Sequence, residues 1–357
     1  MNNLIHWMTG QSTLLPRILL LDGGVSTHLE HAVGRFAHRE LWSSSLLLSN
    51  PSAIRHGHLD WLKAGSSVLT TVSYQLHYRQ ELWPSTVVST DEEMDQLWTR
   101  AMNLAREALS QYKKGDASSS RRRPRFVVAS SGCFGAALAN GAEYTGDYGV
   151  SLAELHDFHR QKLRRILPLK PDGIAIETIP SLAECQALRD LLSDTELFGR
   201  NEESPAIYVS LACRNGCELN DGTNVKEALQ VFRDVPNLHG IGFNCCDVKH
   251  LKGLLTVWIQ QELERKQQST RCLVFYPNSG ETWNAADETW QAGTGCTDAT
   301  EMARQLYEYI QFVESQWPKD RMLPPILVGG CCRTSPQAIT ALSLLVDEHL
   351  DDKPSDP

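Results

Sequence analysis

Short runs of Val, Ile and Leu alternate along this chain with longer segments in which apolar residues return every three to four positions. The short runs predict strands over 18–22, 67–74, 126–130, 173–177, 206–212, 240–244, 273–277 and 326–329. The longer segments predict helices over 51–63, 91–112, 151–167, 181–192, 224–232, 247–266, 298–317 and 335–349. Start signals mark several of them: Ser151 followed by Glu154, Ser181 followed by Glu184, and Pro336 directly after Ser335. Runs that are continuously apolar, and not alternating, belong to strands covered on both faces. With a helix after each strand, the expectation is an α/β fold, a closed (β/α)8 barrel of the TIM type forming a single domain over 18–350. An extension over 1–17 precedes it, and a polar tail over 351–357 is expected to be disordered. An open doubly wound sheet competes, but the first strand ends in Leu21-Asp22-Gly23-Gly24-Val25, which does not continue as GxGxxG.

Composition then narrows the class. A hydrophobic share of 41% against 22% charged is an ordinary globular balance with material for a large core. No apolar run approaches the roughly 18 residues of a membrane span. The net charge of -9 argues against non-specific nucleic-acid binding. The one basic cluster, Arg121-Arg122-Arg123-Pro124-Arg125 after Ser118-Ser119-Ser120, reads as a solvated loop on the bottom of the barrel and as dispensable. Ten cysteines raise the question of disulfides, yet residues 1–17 lack a basic stretch followed by an apolar core of signal length. A reducing, cytoplasmic setting with free or metal-bound thiols is expected, and no obligate protein partner is evident.

Active sites in such barrels gather at the C-terminal ends of the strands. The polar residues expected there are Asp22, Thr70, Thr71, Glu177, Asn244, Cys245, Asn278, Cys331 and Cys332. Two strand ends carry thiols, in Gly242-Phe243-Asn244-Cys245 and in Val328-Gly329-Gly330-Cys331-Cys332, and closure of a barrel would bring Cys245, Cys331 and Cys332 together. Three thiolates suit zinc, copper(I) or an iron–sulfur cluster, and zinc fits an enzyme site best; one Zn2+ per chain is expected. Three protein ligands leave the fourth tetrahedral position open, as in catalytic zinc sites. Cys213 and Cys217, with CxxxC spacing, are a rival without an evident second pair, while Cys133, Cys185, Cys272 and Cys296 read as small buried hydrophobes. His56 and His58 splay apart on one helix and read as non-ligands, which weakens a zinc hydrolase on the same barrel.

Further motifs stand at the expected strand ends and in the loops after them. They are Leu21-Asp22-Gly23-Gly24, Thr71-Val72-Ser73-Tyr74-Gln75, Glu143-Tyr144-Thr145-Gly146-Asp147-Tyr148, Glu177-Thr178-Ile179-Pro180, Asp221-Gly222-Thr223, Gly242-Phe243-Asn244-Cys245-Cys246, Tyr276-Pro277-Asn278-Ser279-Gly280-Glu281 and Gly329-Gly330-Cys331-Cys332-Arg333-Thr334. In this order they resemble a homocysteine S-methyltransferase from about Leu19 to the last helix. The resemblance implies a zinc-dependent barrel that moves a methyl group from a sulfonium, S-methylmethionine or S-adenosylmethionine, to the sulfur of homocysteine. It also implies that Asp22 and Glu177 receive the homocysteine ammonium and that the substrate carboxylate approaches the backbone at Gly23. Asn244 is expected to orient the first ligand, and Thr71 and Asn278 to form pocket wall. The family pattern selects Cys245 over its neighbour Cys246, which spacing alone does not separate. Two long loops, 132–149 with Tyr144 and Tyr148 and 276–297 with Trp283 and Trp290, are expected to cover the site, where an aromatic face would attract the donor cation. A betaine-using branch of the same family remains open, as does, from another class, a non-catalytic metal or thiol sensor.

Overall fold

The described residues form ten strands, β1 (Ile18–Leu20), β2 (Val68–Thr70), β3 (Phe126–Gly132), β4 (Gly173–Ile179), β5 (Ala206–Leu211), β6 (Gly240–Asp247), β7 (Cys272–Asn278), β8 (Thr282–Asn284), β9 (Thr289–Gln291) and β10 (Ile326–Val328). They come from a computed structural model that describes residues 3–12, 15–36, 38, 40–84, 87–115, 123–198, 204–265, 270–284, 289–291 and 294–352. Eight of them form one parallel sheet in the order β1-β10-β7-β6-β5-β4-β3-β2, and β8 pairs with β9 in an antiparallel hairpin. The two ends of the sheet meet at a parallel bridge from Leu21 to Val68. Ser67 N–H donates to Leu20 O at 2.7 Å and Asp22 N–H to Val68 O at 3.1 Å, so the curled sheet is stitched into a barrel. That is the expected fold class.

The continuously apolar strands serve two cores at once, because successive side chains point to opposite faces. Ile18 and Leu20 pack outward with Ile326 and Val328 under the helices. Leu19 and Leu21 point inward with Leu327, Val128, Ala175, Tyr208 and Val274. The lower end of this inner core is filled by the helix Asn3–Met8, whose Leu4, Trp7 and Met8 are buried. A Cβ at Gly240, the first residue of β6, would lie 2.6 Å from Met8 Cε, and one at Gly173, the first of β4, 3.1 Å from Leu4 Cδ2. Both strands open on glycine where the plug needs room. Trp7 Nε1 also donates to Pro16 O at 2.7 Å, tying the plug to the approach of β1. The segment expected as an extension thus contributes to the barrel interior.

The expected helices form, with the capping box at Ser151 and Glu154 and the Ser181 cap both present. Three departures matter for the site. The second strand ends at Thr70, and the chain turns out of the sheet where Ser73 N–H bonds Thr71 O at 2.9 Å. β6 continues to Asp247 with a register shift after Asn244, and a helix absent from the sequence reading, Val25–Val33, follows β1 directly. The end of the basic cluster is packed, not solvated: Arg123 pairs with Asp347 and Arg125 lies over the Tyr112 ring at 5.6 Å. Residues 118–122, the start of that Ser/Arg segment, and 353–357 of the tail lie outside the described residues. Among the described residues no helix is long and apolar enough to cross a membrane.

Because Trp7 fills the barrel floor, Trp7→Ala is expected to cost about 3–5 kcal/mol. Urea unfolding should show this as a lower midpoint at unchanged m-value.

Candidate active site

The thiol-bearing strands β6 and β10 flank β7 in the sheet, so the upper end of β7 stands between the two cysteine segments. It is bonded to both. Asn278 Nδ2 donates to Cys245 O at 3.3 Å, Cys331 N–H donates to Pro277 O at 2.7 Å, and Ser279 N–H donates to Cys332 O at 3.2 Å. Cys245 itself has φ 50°, a left-handed conformation unusual outside glycine, and this turn is where the β6 register shifts. Arg333, next after Cys332, has φ 68° and is anchored by a two-point ion pair to the buried Glu281, at 2.7 and 3.2 Å. Backbone bonds and one part-buried ion pair therefore hold two uncommon backbone turns in place. Such strain persists where surrounding contacts over-determine it.

The outcome is that the sulfurs of Cys245, Cys331 and Cys332 all lie within 4.8 Å of one another, each partly accessible. Among the described residues this is the group able to hold a metal ion. Hydrogen bonds from Cys245 and Cys331 hold the Cys332 thiol well below the usual thiol range. Cys245 is pushed up by its hydrogen bonds to Cys331 and Cys332, and Cys331 is raised as well, the bond with Cys245 being outweighed by Cys332 and by burial. A dication among the three sulfurs would favour ionisation of all of them. Cys246 turns the other way and is buried in the outer apolar core, as is Cys213, whereas Cys217 is exposed.

Above the trio lies a cavity of about 290 Å³ lined by Asp22, Gly23, Thr71, Tyr74, Glu143, Tyr144 and Glu177 among others. The ends of β1 and β10 meet closely at its floor: Gly330 N–H donates to Asp22 O at 3.2 Å, and a Cβ at Gly329 would lie 2.5 Å from that same oxygen. Only glycine allows this approach. The Asp22 carboxylate accepts from Thr70 N–H at 2.6 Å and from Thr70 Oγ1 at 3.0 Å. Burial raises its pKa well above the ordinary value, the Thr70 bonds oppose this, and the charge of Glu177 adds to it. Glu177 accepts from Ser130 Oγ and, at 3.0 Å, from Tyr276 Oη. Its pKa is pushed up to about 7, first by burial, with the Ser130 bond opposing and the Cys331 charge adding. The two carboxylates face one chamber and repel; a cation between them would relieve both.

The structure brings Asp22, Gly23, Thr71, Glu177, Cys245, Cys331 and Cys332 to this cavity and keeps two expected residues off its wall. Asn244 spends its whole amide on Thr178, accepting from Thr178 N–H and donating to Thr178 Oγ1, both at 2.9 Å. It thereby fixes the φ 66° turn after Glu177 and leaves the Cys245 sulfur alone. Asn278 supports the Cys245 carbonyl in place of lining the pocket. Thr71 lines the cavity, yet its hydroxyl is already engaged with Ser73 Oγ at 2.7 Å and Ser130 N–H at 3.0 Å. Of the expected covering loops, the first contributes Glu143 and Tyr144, while Tyr148 turns away to donate to Glu184 at 3.0 Å. From the second, among the described residues, only Tyr276 reaches the wall, and Trp283 and Trp290 stand opposite each other in the β8–β9 register. Sequence reasoning gave no part to Ser130 or to the Glu281 to Arg333 pair. A polar residue at a strand end signals a site but not the partner it meets.

The homocysteine S-methyltransferase family model matches residues 19–346. Homocysteine S-methyltransferase 4 of Zea mays is 35% identical over 94% of this chain and 92% of its own length. A selenocysteine methyltransferase of Astragalus bisulcatus is 30% identical over 91% of each chain. In three dimensions the chain is similar to the metallated form of the Escherichia coli homocysteine methyltransferase MmuM, with a TM-score of 0.72 and 28% identity over 92% of this chain and 96% of that one. A thiol-rimmed cavity at the top of a parallel barrel and a family match over most of the sequence lead to one conclusion: this chain is a methyltransferase of the homocysteine S-methyltransferase family.

Proposed function

We propose that Cys245, Cys331 and Cys332 hold one zinc ion and that the enzyme methylates homocysteine from a sulfonium donor of the S-methylmethionine or S-adenosylmethionine type. The observation that carries this reading is the convergence of three accessible sulfurs at the floor of an acid-lined cavity. Three thiolates and an open fourth position suit zinc. When bound, zinc supplies the Lewis acidity that deprotonates a substrate thiol at neutral pH and keeps its sulfur nucleophilic.

The protein's own groups do the positioning. Asp22 and Glu177, both on the chamber wall, receive the substrate ammonium, and the backbone at Gly23 admits its carboxylate. With that end fixed, the substrate sulfur is directed toward the trio. Thr70, Ser130 and Tyr276 keep the two carboxylates from turning away. Attack on the donor methyl is a direct displacement, so no serine nucleophile or general base is required at the transfer step, and alignment is most of the task. The wall carries Asp22, Glu30, Glu143 and Glu177 against Arg35, an excess of negative charge suited to a donor that arrives as a cation. A betaine donor, neutral overall, gains less from that field.

The purified, zinc-loaded enzyme is expected to form methionine from homocysteine with S-methylmethionine or S-adenosylmethionine and not with betaine. Product only from betaine would assign the other branch, and none from any donor would end the proposal. Treatment with a chelator should abolish turnover and zinc should restore it. Cys331→Ser is expected to lower bound zinc well below one per chain by elemental analysis and to reduce turnover by more than the roughly 10- to 100-fold typical of losing a ligand's supporting partner. Glu177→Gln should keep full zinc content and raise KM for homocysteine by about tenfold or more, the scale of a lost charge-assisted contact.

A further inference from the structure

Two residues that line the cavity each carry a buried acceptor oxygen with no donor. Glu143 Oε2 and Gln75 Oε1 are shut off from solvent, and neither has a hydrogen-bond partner among the described residues. Gln75 is 8% exposed, and its NH2 end is committed to Ala136 O at 3.3 Å, which leaves the carbonyl end unpaired. The carboxyl of Glu143 is met by its own backbone N–H, and burial raises its pKa. Its place is built: Asn220 Nδ2 holds Glu143 O at 2.8 Å, and a Cβ at Gly135 would sit 2.5 Å from Glu143 N. Tyr148, bonded to the fully buried Glu184, secures the far end of the loop. A folded protein rarely leaves buried acceptors unsatisfied, and an acceptor patch without donors is matched by a positive ligand.

We infer that Glu143, with the Gln75 carbonyl and the rings of Tyr74 and Tyr144, forms the seat of the donor's sulfonium. This rests on the sulfonium reading proposed above. Three features favour the sulfonium over the donor's ammonium. Glu143 shares the chamber with the trio, close enough for its charge to act on Cys332 and on both tyrosines. In-line transfer places the donor sulfur one methyl away from the accepting sulfur, whereas the ammonium lies several bonds farther off. A sulfonium has no N–H to give, so it is recognised by nearby negative charge and aromatic faces.

The step itself predicts a kinetic signature. A lone pair of the homocysteine thiolate, its proton already released to solvent, forms the new S–C bond while the electron pair of the old C–S bond returns to the donor sulfur, leaving two neutral thioethers. The positive charge that Glu143 faces is therefore fading in the transition state. Its contribution falls on donor binding and not on the chemical step.

The test is steady-state kinetics of zinc-loaded Glu143→Gln with S-methylmethionine varied at saturating homocysteine. Donor KM should rise about tenfold or more, as for a charge pair that loses one buried partner. Zinc content and homocysteine KM should stay at the wild-type values, the loss should not appear in kcat, and Glu143→Asp should recover part of the binding. A comparison that needs no variant uses the donor's carbon isostere, with CH(CH3)2 in place of S+(CH3)2. It should inhibit the wild type with an affinity lower than that of the donor by a similar factor. An unchanged donor KM in Glu143→Gln, or an isostere that binds as tightly as the sulfonium, would overturn the inference while leaving methyl transfer intact. A wild type that accepts no sulfonium donor would instead remove the reading beneath it.

Discussion

Three sulfurs brought within reach of one another resist ionising together, and the upper end of the barrel is arranged against that repulsion. The end of β7 stands between the two cysteine segments and bonds each through backbone or amide groups. The left-handed turns at Cys245 and Arg333 are conformations that a free chain would leave. They hold because the Glu281 to Arg333 pair, with Glu281 buried, locks one segment and Asn278 the other. A buried ion pair gives little net stability, since desolvation offsets its attraction, but it fixes geometry well. Here geometry is what a metal ligand set requires.

The same logic extends to the carboxylates. Asp22 and Glu177 are buried, the charge of Glu177 adds to the cost of ionising Asp22, and each is met by hydroxyl or N–H donors that keep it from rotating away. Glu143 adds a third acid with less internal support. A chamber in which thiols and carboxylates outnumber cations is strained until positive ligands enter it, and a metal dication, a substrate ammonium and a sulfonium are all positive. With the sulfonium donor proposed above, methyl transfer would remove one of these charges, and the product thioether would be held less strongly than the donor. Binding and release then follow from one electrostatic asymmetry.

The frame that supports this chemistry is apolar and works from below. The helix Asn3–Met8 closes the lower end of the barrel with Leu4, Trp7 and Met8, while Gly173 and Gly240 make room for it. With its floor filled, the interior opens at the top, where the strands end and the cavity lies. The bridge from Leu21 to Val68 and the approach of Gly329 to Asp22 O complete the ring beside the thiols, so closure of the fold and assembly of the site are one event.

By itself the sequence determined the elements and the chemistry. Doubly buried strands must be continuously apolar, helices must show their period, and cysteines at strand ends are few enough to notice. The barrel class and the two thiol-bearing strand ends were legible for those reasons, while the choice of Cys245 over Cys246 came from the family resemblance. Shorter or less periodic pieces were not. The six-residue plug helix gives too little pattern to read, and Val25–Val33 follows a glycine pair that reads as a turn. Only the tertiary structure decided partners. It turned Cys246 into the core, gave the Asn244 amide to Thr178, set Asn278 against the Cys245 carbonyl, and left Glu143 and Gln75, which line the cavity, each with an unpaired buried oxygen. Hydrophobic burial depends on residue type and spacing, which a sequence displays directly. A hydrogen bond depends on the relative position of two groups to within about half an ångström, and between residues 66 apart, as Asn244 and Thr178 are, that position exists only once the barrel has closed.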